Sequence, residues 1–469
     1  MCMSKRTITR TLLDSGLSLA AVYATWATLR RREEREQNSG LAKGKRFLVL
    51  GSGFAGAAVA QELGRLLHGS ENGEILLIDA DNYLLFTPML TEAAGGELDP
   101  RHIISPARTM HSRVDFVQGR ITNIDLENKS IDIETGSDNL QPAKLTFAGD
   151  HLVIALGSVT SYHNLPGVEE HSIPMKKLED ASAAFDRVSA CLERAAVESD
   201  PAKRKELLTF VVGGGGYTGV ETMAALNDLV RTSVESLPKI RPEEVRTLII
   251  HPGDRLLPEI SAHLAEYATR KLKERGVEIR LKAEISGAGE GYVEVKGGER
   301  IPTRTLIWAA GVTPNPLIEK LSVPKGKHHG LTVDACCQVP GHPGVWALGD
   351  CAEIPQPDGK GTYAPTAQNA TREGKLVAQN IVRSLHGEPT QVFRYTPIGE
   401  LALVGRHTGV ASVYGHNFSG LIAWAMWRAV YLAKMPSVGQ QGRILSDWIL
   451  DIVFGREPVP LSSAKGNTP

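Results

Sequence analysis

A buried-strand run that turns through three spaced glycines into a helix occurs twice in these 469 residues. The first copy is Arg46-Phe-Leu-Val-Leu-Gly51-Ser-Gly53-Phe-Ala-Gly56, which passes into an Ala-rich helix expected over 57–67. In this spacing the first glycine permits the tight turn, the second lets backbone approach a pyrophosphate, and the third allows close helix–strand packing. The helix N-terminus adds free N–H groups and a positive dipole end for phosphate. Glycine spacing alone is weak evidence. Here, however, the next strand (74–78) ends in Asp79, 23 residues after Gly56, where a carboxylate accepts both ribose hydroxyls of a dinucleotide. The second copy is Leu208-Thr-Phe-Val-Val-Gly213-Gly214-Gly215-Gly216-Tyr-Thr-Gly219-Val-Glu221, with Gly214, Gly216 and Gly219 in the three places. Its following strand (247–250) ends in His251 where an acid is expected. Without that acid nothing repels a 2′-phosphate, so the choice between NADH and NADPH stays open.

Two such units predict an α/β protein with two Rossmann-like dinucleotide-binding domains. One flavin and one nicotinamide is the economical pair, because hydride must pass between two rings. Two more apolar strands each close in a glycine, Gly157 and Gly311, and a third, Pro343-Gly-Val-Trp-Ala-Leu-Gly349-Asp350, ends at an acid placed for a flavin ribityl hydroxyl. The expected organisation is a terminal segment and linker over 1–43, a FAD-binding domain over 44–165 and 326–390, a nicotinamide domain inserted at 166–325, and a membrane-associating region over 391–469. Composition agrees: 42% hydrophobic and 22% charged residues describe a globular chain, and 47 glycines imply many tight turns. A net charge of −1 argues against nucleic acid as a partner. The five cysteines form no CxxC pair, which excludes a disulfide scaffold and leaves no structural metal site to propose. Cys336 and Cys337 are adjacent in an expected strand, which points them to opposite faces.

The two ends differ from the middle. Residues 12–29 are an apolar run broken by Asp14, preceded by Lys5, Arg6 and Arg10 and followed by Arg30, Arg31 and Arg32. This reads as a membrane anchor, a targeting segment, or a lead-in that docks on the protein itself. Residues 418–435 are apolar but interrupted by Arg428 and Lys434, so they are ill-suited to span a bilayer. Ile444, Leu445, Trp448, Ile449, Ile452 and Val453 then recur at helical spacing, with Trp424 and Trp427 upstream. Such a helix pair lies on a membrane surface, or it forms a dimer interface or a core-facing element.

Taken together, four motifs resemble those of the type II NADH:quinone oxidoreductases, within the two-dinucleotide flavoproteins of the pyridine nucleotide-disulfide oxidoreductase superfamily. They are Asp81-Asn-Tyr-Leu-Leu-Phe-Thr87-Pro88, the second glycine fingerprint through Glu221, Val339-Pro-Gly-His-Pro-Gly-Val-Trp-Ala-Leu-Gly-Asp350, and Ala364-Pro-Thr-Ala367-Gln368-Asn-Ala370. The resemblance spans roughly 45–461. It departs from the family at Ala155-Leu156-Gly157, usually Ala-Thr-Gly, and at His251, usually a glutamate in members specific for NADH. It implies FAD held by Gly51, Gly53, Gly56 and Asp79, with Asp350 on the ribityl chain. It implies NADH or NADPH bound by Gly214, Gly216 and Gly219, with Glu221 near the nicotinamide end and His251 at the ribose position. Ala367 and Gln368 would lie beside the isoalloxazine at the quinone pocket, and Pro88, Gly157 and Gly311 complete the cofactor contacts. The implied activity is non-proton-pumping oxidation of NAD(P)H by a membrane quinone. The C-terminal helices would then rest on the cytoplasmic face of a membrane, or the matrix face in an organelle. An isologous dimer is the default expectation.

Rival readings are narrower. Disulfide reductases need a cysteine pair, and no cysteine lies between Cys2 and Cys191. Sulfide:quinone reductases use a cysteine after Gly157, absent here up to Cys191, and Cys351 reads as a packed thiol. A reductase of a soluble protein acceptor or a redox sensor without quinone turnover remains as the alternative. The apolar C-terminus speaks against the former, because soluble acceptors dock on charged surfaces.

Overall fold

The structure is a computed structural model that describes residues 44–67, 73–136 and 141–455. The N-terminal apolar run, with its anchor, targeting and docking readings, lies outside the described residues. The chain divides into two compact units. Among the described residues, one comprises 44–84, Pro106–Gly157 and Pro314–Tyr395; the other comprises Leu85–Ser105, Ser158–Thr313 and 396–455.

In the first unit the strand Arg46–Leu50 is the middle of a five-stranded sheet ordered Val345–Ala347, His151–Ile154, Arg46–Leu50, Glu74–Asp79, Val114–Gln118, with every pairing parallel. Phe47, Leu48, Val49 and Leu50 are fully buried. That is why this strand reads as an unbroken apolar run and does not alternate: both faces are covered. The chain leaves the middle strand for Glu74–Asp79 on one side and later returns to His151–Ile154 on the other. A crevice is thereby created at the carboxyl end of the middle strand, where open α/β sheets bind ligands. The helix Phe54–Leu66 packs against the helix Ala367–Leu385 so closely that a Cβ on Gly374 would lie 2.5 Å from the Ala55 carbonyl oxygen. Small residues here bring the two backbones together.

The second unit repeats the plan. Its parallel sheet is ordered Ile173–Pro174, Thr305–Trp308, Thr209–Gly213, Arg246–His251, Val277–Leu281, again with the glycine-fingerprint strand in the middle. Each unit also carries a three-stranded antiparallel sheet: Arg120–Asp125, Ser130–Thr135 and Ala143–Ala148 in the first, Ile285–Gly289, Tyr292–Val295 and Glu299–Pro302 in the second. The second unit further holds a meander, Gly399–Gly405, Thr408–Val413 and His416–Gly420, followed by the helices Leu421–Lys434 and Val438–Phe454. Leu85–Ser105, which falls within the span assigned above to the FAD-binding domain, groups with this unit.

The last helix is core-facing on one side only. Gln440, Ile444, Trp448 and Asp451 are buried, while Leu445, Ile449, Leu450, Ile452, Val453 and Phe454 are exposed. Its apolar residues therefore make two faces, one packed inward and one unpaired. The inward face is pinned by polar contacts: the Gln440 amide donates to the Arg101 and Ile104 carbonyls at 3.2 and 2.6 Å, and Asp447 meets His102 Nδ1 at 2.6 Å. Cys336 and Cys337 require a correction. They lie in a turn, not a strand, with Cys337 at φ 68° and the Asp334 carboxylate accepting the Cys336 N–H at 2.9 Å. The aspartate side chain closes the turn locally, a competition that strand propensity does not register.

Candidate functional site

Each unit builds a cradle from its three glycines, and the two cradles match residue for residue. Gly51 and Gly214 take positive φ, 99° and 116°. A side chain on either would collide with a carbonyl of the neighbouring strand's end, Ala155 or Ala309. Gly56 and Gly219 sit against the carbonyl oxygens of Gly51 and Gly214, so a Cβ there has no room. Gly53 and Gly216 differ: each is the N-cap of its helix, neither supplies a side-chain cap, and a Cβ on either meets nothing within 4 Å. Neither helix has an acid in its first turn. Two helix N-termini with no side-chain cap, no crowding at the cap glycine and no acid in the first turn are therefore presented over the middle strands' ends. That arrangement suits a pyrophosphate in both units.

The partners of the first cradle lie in the same unit. Asp79 ends its strand half-buried; its carboxylate accepts the Ser52 N–H at 2.5 Å and the Asp81 N–H at 3.1 Å, which ties it to the glycine loop. Gly157 closes the strand end at φ 64° and accepts the Asn315 N–H at 3.1 Å. Asp350 sits in the one-turn helix Gly349–Cys351, beside a fully buried Cys351 whose thiol donates to the carbonyls of Leu348 and Ile154 at 3.3 and 3.5 Å. Burial pushes that thiol up to about 12, so Cys351 is the packed, inert thiol expected. The helix that begins at Ala367 is capped by Thr366, whose hydroxyl accepts the Asn369 N–H at 3.2 Å, satisfying one of the otherwise unpaired donors of the first turn. Gln368 is oriented by a contact no local pattern shows: the Tyr395 hydroxyl donates to Gln368 Oε1 at 3.0 Å, and the Arg372 guanidinium stacks 3.9 Å from the Tyr395 ring centre. Pro365, Thr366 and Glu373 border a small cavity with room for about one water.

In the second unit, His251 occupies the strand end. Its Nδ1 accepts the Gly215 N–H at 3.1 Å, so the ring proton belongs on Nε2. Burial lowers its basicity, against the opposing pull of Glu259 and Asp254, and the ring is neutral at pH 7. Gly311 is exposed at φ 141°, and Pro88 lies in the single turn Thr87–Met89. Glu221 is drawn toward the C-terminal elements: one carboxylate oxygen accepts both the Leu403 N–H at 2.9 Å and the Trp427 indole N–H at 3.2 Å. Desolvation raises its carboxyl to about 8, so it keeps a proton at neutral pH. It borders a cavity shared with Thr91, Glu92, Glu97, Leu403 and Trp424. Beside that cavity Arg428, buried, reaches Glu92 and Glu97 at 3.2 and 3.0 Å and lies between the rings of Trp424 and Trp448. In the sequence Arg428 stands only as an interruption of an apolar run. A cation inside such a run was the one available signal of a buried pair.

Residues 45–374 match the pyridine nucleotide-disulphide oxidoreductase family, and residues 398–457 match the NDH2 C-terminal domain. The chain is 28% identical to a probable NADH dehydrogenase of Dictyostelium discoideum over 96% of this chain and 98% of that protein. It is 29% identical to the type II NADH:quinone oxidoreductase Ndh of Mycobacterium tuberculosis over 88% and 89%. Among solved structures, NDH2 from Plasmodium falciparum in complex with NADH matches with a TM-score of 0.82, covering 89% of this chain and all of that one at 20% identity, a likeness of fold.

Proposed function

The chain belongs to the pyridine nucleotide-disulphide oxidoreductase family and is a type II NADH:quinone oxidoreductase; from that premise we propose that its first cradle holds FAD, its second NADH, and that quinone is reduced beside Gln368. The observation that carries the cofactor assignment is the doubled cradle with two uncapped, acid-free helix N-termini. The fit is tested by space: Gly53 and Gly216 leave open volume where a pyrophosphate approaches, while the other glycines are filled by backbone. FAD, when bound, supplies the chemistry of accepting a hydride and passing on two electrons.

This chain's residues bind, orient and hold protons. The N–H groups of the helix Phe54–Leu66 would hold the flavin pyrophosphate, Asp79 the ribose, and Asp350 the ribityl chain. The N-terminus of Ala367–Leu385, carrying Ala367 and Gln368, would favour negative charge placed before it. Glu221, protonated at neutral pH, would hold a transferable proton. At the ribose position, Asp254 and Glu259 beside the neutral His251 supply the negative field that the missing acid would have provided. We therefore expect NADH to be preferred over NADPH. The exposed stripe Leu445, Ile449, Ile452, Val453 and Phe454 supports docking of the last helix on a membrane surface. Among the described residues no helix is long and apolar enough to cross one. Flotation with anionic lipid vesicles should carry the wild type upward and lose the variant Ile449→Glu/Val453→Glu; equal flotation would remove the docking role.

Anaerobic stopped-flow tests the whole reading. Flavin absorbance should bleach faster with NADH than with NADPH and return on a quinone pulse. Gln368→Leu removes the group that Tyr395 orients, and should slow the return at least tenfold while bleaching stays near wild type. Equal losses in both phases would sink the assignment of Gln368 to the quinone. Bleaching without return in the wild type would instead favour a soluble acceptor.

A further inference from the structure

We propose that Glu373 takes up and returns one proton as negative charge arrives at and leaves the flavin site, while holding in place the turn that carries Asp350. The proposal rests on the flavin reading above. Glu373 lies on the helix Ala367–Leu385, seven residues beyond its Thr366 cap, and is 3% exposed. Its Oε2 accepts the Gly349 N–H at 2.9 Å. Gly349 opens the turn Gly349–Cys351 at φ 71°, and a Cβ on it would lie 3.1 Å from Ala55 Cβ, so the turn is pressed against the first fingerprint helix. Gly374, next in sequence, makes the close approach to Ala55 already described. The Glu373 carboxyl thus ties the Asp350 turn to the helix Ala367–Leu385, and the glycines on either side of that bond, Gly349 and Gly374, both press on the fingerprint helix at Ala55.

Its surroundings suit a proton store. The titratable groups that face it from other elements include Asp350 on the turn, whose charge disfavours a second negative charge on Glu373, and the Cys337 thiol, which burial holds neutral. The first fingerprint helix presents uncharged Ala55, Ala58 and Val59 to this contact. Burial raises the Glu373 carboxyl to about 7, so near neutral pH it is poised between its two forms. The small cavity that it borders reaches Tyr363 and the Thr366 cap, giving a water a place beside the carboxyl. A hydride delivers two electrons and one proton, a net charge of −1. One solvent proton then joins the Glu373 carboxylate to make the neutral acid, restoring the charge of the site. When the two electrons depart to quinone, that proton returns to solvent. No bond forms between Glu373 and any cofactor.

The experiment is a potentiometric titration of the flavin in the full-length holoprotein from pH 5.5 to 8.5, comparing wild type with Glu373→Gln. Gln keeps an acceptor for the Gly349 N–H but cannot ionise. Above about pH 7 the wild-type potential should fall with pH by one additional proton per two electrons, and the variant should lack this change of slope. Equal slopes in the two flavoproteins would overturn the proposal. If the variant fails to retain flavin, the wild type alone decides. Its reduced-minus-oxidised infrared difference spectrum should gain a protonated-carboxyl band above pH 7, and the lack of that band would overturn the assignment. A measurement independent of flavin is unfolding stability against pH. The folded carboxyl holds its proton more tightly than the unfolded one. Glu373→Gln should therefore match wild type below the ordinary carboxylate range and gain on it as pH rises through about 7. A pH-independent difference would count against a raised, titrating carboxyl. A chain purified without any flavin would instead overturn the reading on which the proposal rests, while the stability comparison would still report on Glu373 itself.

Discussion

Gly216→Ala should leave the protein folded and flavin-loaded but raise the KM for NADH by about 10- to 150-fold. The Cβ it adds meets no protein atom within 4 Å, so packing gives no reason for lost stability. It would occupy the space through which, on the proposed reading, a pyrophosphate approaches the N-terminus of Tyr217–Glu235. Each hydrogen bond to a charged group so lost is worth about 1.5–3 kcal/mol, and every 1.4 kcal/mol is about tenfold in affinity. The KM for quinone should not move. Gly219→Ala makes the contrast, because its Cβ collides with the Gly214 carbonyl and the helix must shift away from its strand; that variant should lose stability along with NADH binding. Steady-state kinetics with thermal unfolding of both proteins checks the pair. Gly216→Ala with an unchanged KM for NADH would show that the second cradle does not hold the nicotinamide dinucleotide.

Arg428→Met should cost about 3–5 kcal/mol of unfolding free energy, the range expected when one partner of a buried charge pair is removed. Arg428 and Glu92 are 8% and 1% exposed, so water does little to screen the two carboxylates left behind. Met fills much of the apolar volume between Trp424 and Trp448 but supplies neither the charge nor the donors to Glu92 and Glu97. Two further substitutions in that background, Glu92→Gln and Glu97→Gln, should recover part of the loss, because the residual penalty lies in the stranded charges and the three residues act as a unit. Arg428→Lys should fall between, keeping a cation but losing the planar group that stacks on two rings. Urea unfolding of the four proteins measures these differences. A loss below 1 kcal/mol in Arg428→Met would mean that the triad is bridged to solvent.

The two largest effects belong to different kinds of residue, and only one kind is legible in a linear chain. Strand, turn, glycine and helix N-terminus are contiguous, so backbone sterics and helix capping alone encode both cradles; Asp79 and the Thr366 cap follow from the same local rules. The C-terminal helices were half legible. Their apolar spacing announced helices, but spacing does not divide one apolar set into the buried stripe of Ile444 and Trp448 and the exposed stripe of Ile449 and Val453.

Partners brought together across the chain account for the rest. Glu221 takes its hydrogen bonds from Leu403 and Trp427, about two hundred residues away, and the burial that keeps it protonated comes with them. Glu373 is an ordinary helical glutamate until the Gly349 turn closes over it. Gln368 acquires an orientation only from Tyr395, and Arg428 becomes an anchor only because Leu85–Ser105 groups with the C-terminal region and delivers Glu92 and Glu97 to it. The sequence by itself therefore determined the α/β architecture, the two dinucleotide cradles and the family, since short-range geometry and spacing are written in adjacent residues. The protonation states, the orientation of Gln368 and the anchoring of the last helices were decided by tertiary structure, because a side chain's dielectric surroundings and hydrogen-bond partners exist only once distant segments are packed against it.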